Sequence, residues 1–275
     1  MTMKAARWYG KGDIRIEEVD IPSPKAHQVK IAVKYTGICG SDLHEYLGGP
    51  IFIPVDKPHP YSGQQAPLIM GHEFSGEIVE VGSDVHHLKV GDRITVEPIL
   101  AENGLVGQYN LDPNLGFVGL AADGGFAEFC VVDAQLVHQL PESIDFEQAA
   151  LTEPAAVALY AVHQSKIKAG ETAAVFGCGP IGLLVIEALR AAGASEIYAV
   201  ELSAERQAKA KELGAIVLDP QKDDVIKTIK DKTNGGCDVS FEVTGVPAVL
   251  QQSIEAVKND GMAVIVSIWE QEASI

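Results

Sequence analysis

The first 150 residues show short runs of alternating apolar and polar side chains separated by turns. Residues 29–35 (VKIAVKY) alternate with a period of two, which predicts a half-buried β-strand. Residues 71–82 and 92–96 follow a similar pattern and contain the glycine and aspartate typical of turns. Residues 48–67 are rich in glycine, proline and polar side chains and predict a long surface loop. The sequence therefore predicts a β-rich N-terminal domain.

After residue 150 the pattern changes to apolar strands that alternate with helices. The predicted strands are residues 172–176, 196–200, 215–218, 237–242 and 262–267. An apolar-periodic helix is predicted from Ile181 to about Ala192, and a charged helix from Ala204 to Leu213. Alternating strands and helices predict an α/β domain with a parallel, doubly wound sheet covered on both faces. The change of pattern divides the chain into predicted domains 1–154 and 155–275.

Composition and charge exclude several classes of function. The chain has 275 residues, with 21 Lys+Arg against 38 Asp+Glu and a formal net charge of -17. Such an acidic chain offers no basic surface to nucleic acids or to anionic membranes. The N-terminus lacks the apolar stretch of a signal peptide, and the longest apolar run is too short to span a membrane. We therefore expect a cytoplasmic protein that binds neither nucleic acid nor membrane.

Cysteine usage agrees with a reducing compartment. The four cysteines are Cys39, Cys130, Cys178 and Cys237, and no two of them form a C-x-x-C pair. Their wide spacing gives no disulfide framework.

Residues 177–182 (GCGPIG) form a G-x-G-x-x-G motif between a predicted strand and a predicted helix. In that context Gly177 allows the tight turn, Gly179 lets the backbone approach a pyrophosphate, and Gly182 permits close packing of helix on strand. Pro180 and Ile181 open the helix, whose free N–H groups attract phosphates. The motif therefore predicts a dinucleotide site in a Rossmann domain. Since that fold has six strands, the five predicted strands make the domain incomplete.

Glu201, at the end of the second strand of this domain, favours NAD over NADP. Its carboxylate would accept hydrogen bonds from ribose hydroxyls and would repel a 2′-phosphate. Arg206 lies close enough in sequence to weaken that preference. Thr244, Val266 and Ser267 lie at the carboxyl ends of later strands, where such sheets contact their coenzyme. The alternative is a glycine-rich loop that binds nothing, followed by a surface glutamate.

The N-terminal domain carries residues suited to a metal centre. Cys39, His72 and either Glu153 or Glu73 would give catalytic zinc three protein ligands and leave a fourth position open. Each also has a simpler explanation. A single cysteine is often a small buried hydrophobe, and His72 could belong to a turn. Thr152-Glu153-Pro154 is also a common helix start. Spacing alone leaves these alternatives open.

Taken together, four segments resemble the zinc-dependent medium-chain alcohol dehydrogenases. They are residues 37–44 (GICGSDLH), 71–76 (GHEFSG), 152–154 (TEP) and 177–182 (GCGPIG). Within that family, residues 44–54 (HEYLGGPIFIP) and 174–182 (AVFGCGPIG) are most similar to 2,3-butanediol (acetoin) dehydrogenases. The resemblance extends over essentially the whole chain. It implies a GroES-like catalytic domain followed by a Rossmann domain, and a zinc- and NAD-dependent oxidoreductase.

The resemblance also implies roles for individual residues. Cys39, His72 and Glu153 correspond to the catalytic zinc ligands. Glu73 corresponds to the acid beside the ligand histidine, which usually lies behind the ligands or replaces one of them during exchange. Ser41 and His44 correspond to a proton relay, for which imidazole is suited because it exchanges protons near neutral pH. The expected reaction transfers a hydride between a small diol or hydroxyketone and NAD.

Two departures from the family pattern lead to further expectations. Residues 97–116 contain no cysteine, so we expect one zinc per chain and no structural zinc. The family pattern continues beyond residue 275 and there supplies a sixth strand and the segment that joins subunits of a homo-oligomer. The missing segment leaves one alternative open, an inactive fragment that only binds NAD or zinc. A second alternative, a sorbitol-like polyol dehydrogenase, shares the same Cys-His-Glu site.

Overall fold

A computed structural model of the chain describes residues 1–101, 108–269 and 272. Two compact units are present, Met1–Glu153 and Pro154–Ile275. Residues 102–107, which belong to the segment expected to lack a structural zinc, lie outside the described residues, as do residues 270–271 and 273–275. Within the described residues, no helix is long and apolar enough to cross a membrane.

The first unit is built mainly of antiparallel strands. Its strands are β1 (Thr2–Gly10), β2 (Asp13–Asp20), β3 (Gln28–Thr36), β4 (Leu68–Ile69), β5 (Phe74–Val81), β6 (Arg93–Val96), β7 (Ile99–Leu100), β8 (Gly116–Phe117), β9 (Phe129–Asp133) and β10 (Val137–Gln139). Its helices are α1 (Gly40–Gly48) and α2 (Phe146–Ala150), with 3-10 turns at Tyr109–Leu111 and Ala134–Leu136. The strands form sheets in the orders β2-β1-β4, β10-β6-β5-β3-β9 and β7-β8.

The core of this unit lies on one face of the five-stranded sheet. Val29 and Ile31 of β3 are fully buried, as are Phe74 and Ile78 of β5. These residues keep the period of two that the sequence predicts, because alternate side chains of a strand point to the same face. The pairing of β3 with β5 brings Thr36, at the end of β3, beside Phe74, the first residue of β5, and the Gly37 N–H donates to Glu73 O just before that strand.

The second unit is a parallel sheet with helices between its strands. Its strands are β11 (Thr172–Phe176), β12 (Glu196–Val200), β13 (Ile216–Leu218), β14 (Cys237–Glu242) and β15 (Val257–Ile265). Its helices are α3 (Thr152–Ser165, whose first two residues belong to the first unit), α4 (Pro180–Ala191), α5 (Ala204–Glu212), α6 (Val225–Lys232) and α7 (Pro247–Ala256). The strand order is β13-β12-β11-β14-β15, and all neighbours are parallel.

Both faces of the parallel sheet are covered by apolar side chains. Ala173 and Val175 of β11 pack in one cluster with residues of α3, α4 and α5. Ala174 and Phe176 of the same strand pack in a second cluster with residues of α6. A strand buried on both faces is apolar throughout rather than alternating, which explains the continuous run in residues 172–176.

The predicted architecture agrees with the structure: a β-rich unit precedes a unit whose described residues form a parallel, doubly wound sheet of five strands. Three of the predicted strands of the second unit have the observed bounds, namely 172–176, 196–200 and 237–242. The last strand differs, because β15 begins at Val257 and ends at Ile265, so that Val266 and Ser267 follow it. Helix α1 is an element that the strand pattern did not predict.

Candidate metal and coenzyme sites

The start of helix α1 brings together the side chains of Cys39, Ser41 and Asp42. Cys39 is its N-cap, with extended backbone angles, and the Asp42 carboxylate accepts the Cys39 backbone N–H at 2.9 Å. A carboxylate at this third helical position supplies a partner for the N-cap amide. Ser41 and Asp42, in the first turn, are both buried. The local sequence therefore fixes the thiol, the hydroxyl and the carboxylate as one group.

Three potential ligand atoms meet at this point. One atom each from Cys39, His72 and Glu73 lie within 4.8 Å of one another, and both His72 and Glu73 are buried. His72 and Glu73 immediately precede β5, whose pairing with β3 delivers them to the start of α1. Thiol, imidazole and carboxylate are the donors that zinc takes in proteins.

The two nitrogens of His72 have different neighbours. Nε2 lies 3.1 Å from Ser41 Oγ, and Nδ1 lies 3.6 Å from Asp42 Oδ1. Neither His72 Nδ1 nor Asp42 Oδ1 has a hydrogen-bond partner, although both atoms are buried. A proton on Nδ1 directed at the carboxylate leaves Nε2 with its lone pair, which is the arrangement found around metal-binding histidines.

Burial dominates the electrostatics of this cluster. It lowers the pKa of His72 to about 4, so the imidazole is neutral at physiological pH. Burial, together with the nearby Glu73 carboxylate, raises the pKa of Cys39 to about 11, against hydrogen bonds from Ser41 that lower it. Burial and the neighbouring carboxylates Glu73 and Glu45 raise the pKa of Asp42 to about 7.

These observations fit a bound divalent cation. Several buried acidic groups and a neutral imidazole face one another, and a positive ion would favour their deprotonated forms. The unpartnered pair of His72 and Asp42 is also what a ligand histidine with a carboxylate behind it requires. The donor set therefore fits zinc.

Glu153, predicted from the sequence as the third ligand, lies near this cluster but outside the set of three. It is the second residue of α3, and burial with the charges of Glu73 and Asp42 raises its pKa to about 7. Glu73, expected from the family resemblance to lie beside the ligand histidine, is the carboxylate within the set of three ligand atoms.

The two residues of the predicted proton relay lie on the same helix. Ser41 and His44 are three residues apart on α1, so they share a face. The hydroxyl of Ser41 contacts His72. Asp42 is a site residue that the sequence analysis missed, and its signal was the acid three positions after the N-cap.

The glycine motif forms the turn between β11 and α4. Gly177 has φ +96°, and a Cβ there would lie 2.6 Å from Thr244 Cγ2. A Cβ on Gly182 would lie 2.0 Å from Gly177 O. Gly179 is the N-cap of α4, and a Cβ there would meet no atom within 4 Å. The first and third glycines are therefore required by packing, whereas the second borders open space.

That open space fits the pyrophosphate of a dinucleotide. It lies at the start of α4, where Pro180 and Ile181 form the first turn and the backbone N–H groups of a first turn have no partners within the helix. A glycine without neighbours at this point leaves room for a ligand to approach the backbone.

Glu201 closes the other side of the turn. Glu201 is 8% exposed, and its Oε2 accepts the backbone N–H of Cys178 at 2.8 Å. Its Oε1 accepts the backbone N–H groups of Leu202 and Ser203. Arg206 Nη1 lies 4.0 Å from Glu201 Oε2. The carboxylate follows β12 directly, at the edge of the sheet that carries the glycine turn.

The three candidate contacts beyond β14 and β15 gather around one further residue. Thr244 and Ser267 both bond to the carboxylate of Glu242, and the Val266 N–H donates to the Glu242 backbone oxygen. Glu242 was not predicted as a site residue, because a glutamate at this position in the sequence indicates only the polar end of a strand.

Two family models match the chain. Residues 25–142 match the alcohol dehydrogenase GroES-like domain, and residues 180–275 match the zinc-binding dehydrogenase domain. Together they cover most of both units and agree with the fold and with the metal cluster.

Among characterised proteins, (R,R)-butanediol dehydrogenase of Bacillus subtilis is 64% identical over 99% of this chain and 80% of its own length. Sorbitol dehydrogenase of the same organism is 38% identical over 98% of the chain and 76% of its own length. The crystal structure of 2R,3R-butanediol dehydrogenase from Bacillus subtilis superimposes with a TM-score of 0.95 at 63% identity, covering 99% of this chain and 79% of that one.

The predicted enzyme class, with zinc and NAD as cofactors, is confirmed by these matches. The chain belongs to the zinc-binding alcohol dehydrogenase family, in which a GroES-like domain precedes a Rossmann domain.

Proposed function

We propose that this protein interconverts butane-2,3-diol and acetoin, with the 2R,3R diol as its substrate and NAD as hydride acceptor. The cluster of Cys39, His72 and Glu73, in which the histidine and the glutamate are buried, carries the proposal for the chemistry. The 64% identity to a butanediol dehydrogenase supports the choice of substrate.

Cys39, His72 and Glu73 would hold one zinc ion, and Glu153, whose carboxyl group interacts electrostatically with Glu73 and Asp42, is the alternative third ligand. When bound, zinc supplies a Lewis acid that makes an alcohol hydroxyl more acidic. Asp42 Oδ1, 3.6 Å from His72 Nδ1, would orient the ring of His72 when its other nitrogen binds the ion. A set of three protein donors would leave room for a substrate oxygen beside them.

The protein's own residues provide a path for the alcohol proton. The hydroxyl of Ser41 is buried next to His72, where it can accept that proton and donate its own onward. His44 lies one turn further along α1 and is partly exposed, so it can pass a proton to bulk water. We assign Ser41 to the inner end of the relay and His44 to the outer end.

The second unit would bind and orient the coenzyme. Gly179 and the first turn of α4 would contact the pyrophosphate, and Glu201 the adenosine ribose. Thr244, Val266 and Ser267, with Arg206 at the rim of the ribose site, would complete the contacts. Because Glu201 is buried and negative, a 2′-phosphate at this position is unfavourable, and NAD is preferred.

A second candidate function is polyol oxidation of the sorbitol type. The 38% identity to a sorbitol dehydrogenase favours it, and the thiol, imidazole and carboxylate cluster would serve both reactions equally. The two functions differ only in the substrate pocket.

Steady-state turnover separates the two functions. Zinc-loaded protein is assayed with NAD and each stereoisomer of butane-2,3-diol, with sorbitol, and in reverse with acetoin and NADH. We expect kcat/KM for the 2R,3R diol to exceed that for sorbitol by at least about a hundredfold, the discrimination that a few contacts to substrate hydroxyls provide. A preference for sorbitol would replace the first proposal with the second, and absence of turnover on both would contradict both.

We also propose that the protein works in the cytoplasm; its assembly into a homo-oligomer, which the family resemblance implies through a segment beyond residue 275, stays an expectation. Its four cysteines are free thiols, and three of them are buried, as expected in a reducing compartment. Light scattering of the purified chain tests the oligomeric state.

A further inference from the structure

Glu242 is a fully buried carboxylate at the last residue of β14. It is 0% exposed. Its Oε1 accepts the backbone N–H groups of Thr244 at 2.7 Å and Gly245 at 3.1 Å, together with the hydroxyl of Thr244. Its Oε2 accepts the hydroxyl of Ser267. All of these partners are neutral donors, and within the described part of the chain no ion pair is made to Glu242.

This carboxylate joins three loops at the carboxyl edge of the sheet. Thr244, which it holds, packs against Gly177 of the glycine turn, since a Cβ on Gly177 would lie 2.6 Å from Thr244 Cγ2. Gly245 lies against the backbone of Ile268, with its own ideal Cβ position 2.6 Å from Ile268 O. The loops after β11, β14 and β15 are therefore arranged around one side chain.

The position of Glu242 coincides with the point where the strand order reverses. In the order β13-β12-β11-β14-β15, successive connections run one way from β11 and the other way from β14. Dinucleotides bind across the crevice at this switch point. The glycine turn and Glu201 belong to the half that binds the adenosine part, so β14 and β15 face the nicotinamide half.

Charge distinguishes the two redox forms of the coenzyme at this place. The nicotinamide ring is positively charged in NAD⁺ and neutral in NADH. A buried carboxylate without a cationic partner interacts with that charge more strongly than an exposed one, because the surrounding dielectric constant is low.

We propose that Glu242 is a positioning residue for the nicotinamide half of the coenzyme and that its negative charge favours NAD⁺ over NADH. It fixes the loops that carry Thr244 and Ser267, and it biases the site toward the oxidised form. This inference rests on the coenzyme site proposed above.

Glu242→Gln removes the charge and keeps the shape. The amide oxygen can still accept the Thr244 and Gly245 N–H groups, and the amide nitrogen can donate to Ser267. In the zinc-loaded protein we measure Kd for NAD⁺ by calorimetry and Kd for NADH by fluorescence, with zinc content and Tm. We expect Kd for NAD⁺ to rise roughly threefold to tenfold more than Kd for NADH. Ser267→Ala, which keeps the charge, is expected to leave the ratio of the two constants unchanged.

Asp238→Asn is the matched control, because Asp238 lies at the opposite end of the same strand. Its carboxylate accepts the Thr172 N–H and hydroxyl and pairs with Lys258, so its loss lowers Tm without touching the coenzyme edge. An unchanged ratio in Glu242→Gln, or an equal change in Asp238→Asn, overturns the inference while the coenzyme site stands. If the wild-type protein binds neither form, the proposed site and the inference are both overturned.

Discussion

His72 Nδ1 and Asp42 Oδ1 lie 3.6 Å apart, and neither atom has a hydrogen-bond partner. Buried polar atoms without partners are rare in folded proteins because each carries a desolvation penalty. A metal on the other ring nitrogen would strengthen the attraction between the Nδ1 proton and the carboxylate. The pair is therefore what we expect where a carboxylate, here Asp42, orients a histidine that binds a metal through its other nitrogen.

Asp42→Asn is therefore expected to weaken zinc binding by about tenfold to a hundredfold, the usual effect of removing such a partner. The amide keeps the size of the side chain but loses the charge that steadies the histidine. Competition with a chromogenic chelator measures the zinc Kd directly.

The matched control is Asp92→Asn. Asp92 is also buried, at 8% exposure, and its carboxylate binds Lys89 and Gln139 away from the metal cluster. We expect this variant to lower Tm without changing zinc affinity. Equal zinc affinities in Asp42→Asn and wild type would remove Asp42 from the site.

The identity of the third zinc ligand can be tested with two isosteric variants. Glu73 belongs to the compact set of ligand atoms and Glu153 does not, so Glu73→Gln is expected to raise the zinc Kd more than Glu153→Gln. Cys39→Ser is expected to lose zinc, whereas Cys130→Ser retains it, because Cys130 is buried elsewhere in the unit. The opposite order of the two glutamine variants would favour the assignment made from the sequence.

Zinc affinity is expected to rise with pH. Zinc binds the thiolate, and the pKa of Cys39 is about 11, so each ion bound at neutral pH displaces one proton from the thiol. This gives about a tenfold gain in affinity per pH unit above pH 7. Below pH 7 the dependence becomes steeper, because Asp42 and Glu153, with pKa values of about 7, are then partly protonated and lose those protons to the solvent when the ion binds.

Chelator competition between pH 5.5 and 9, with calorimetry in two buffers to count released protons, checks this dependence. His72, whose pKa is about 4, contributes no proton in that range. An affinity independent of pH would show that the thiol is not a ligand.

The strands and the glycine turn were predictable because their signals are local. Residues 172–176 are apolar and lead straight into Gly177, so the sequence specifies strand, turn and helix within a few positions. The ligand pair of Cys39 and His72 needed the family resemblance, since the residues are brought together only by the pairing of β3 with β5.

Features that depend on distant partners could not be predicted. The role of Asp42 depends on His72, 30 residues away, and that of Glu242 on the loop at Ser267. The early start of β15 was hidden by Asn259, Asp260 and Gly261, which resemble a turn, whereas the strand continues past an irregularity in its register with β14.

Coenzyme preference is expected to depend on Glu201. Glu201→Gln keeps an acceptor for the Cys178 N–H and removes the charge that repels a 2′-phosphate. We expect kcat/KM with NADP to rise about tenfold relative to that with NAD, corresponding to one unfavourable charge interaction removed. Glu212→Gln, an exposed carboxylate on α5 paired with Lys209, is the control and should leave the ratio unchanged. The same ratio in both variants would contradict the role of Glu201.

The glycine turn allows stability and coenzyme binding to be separated. Gly179→Ala adds a Cβ at φ -68°, where it meets no protein atom, so we expect an unchanged or slightly higher Tm. The same methyl group would occupy the space proposed for the pyrophosphate, and NAD affinity should fall at least about tenfold.

Gly177→Ala is the contrasting variant. Gly177 has φ +96°, and a Cβ there would lie 2.6 Å from Thr244 Cγ2, so the substitution should lower Tm as well as NAD affinity. Gly10→Ala, also in open space, is the control for a harmless methyl group. Calorimetric titration with NAD and thermal unfolding of all three variants test this, and normal NAD binding by Gly179→Ala would place the pyrophosphate elsewhere.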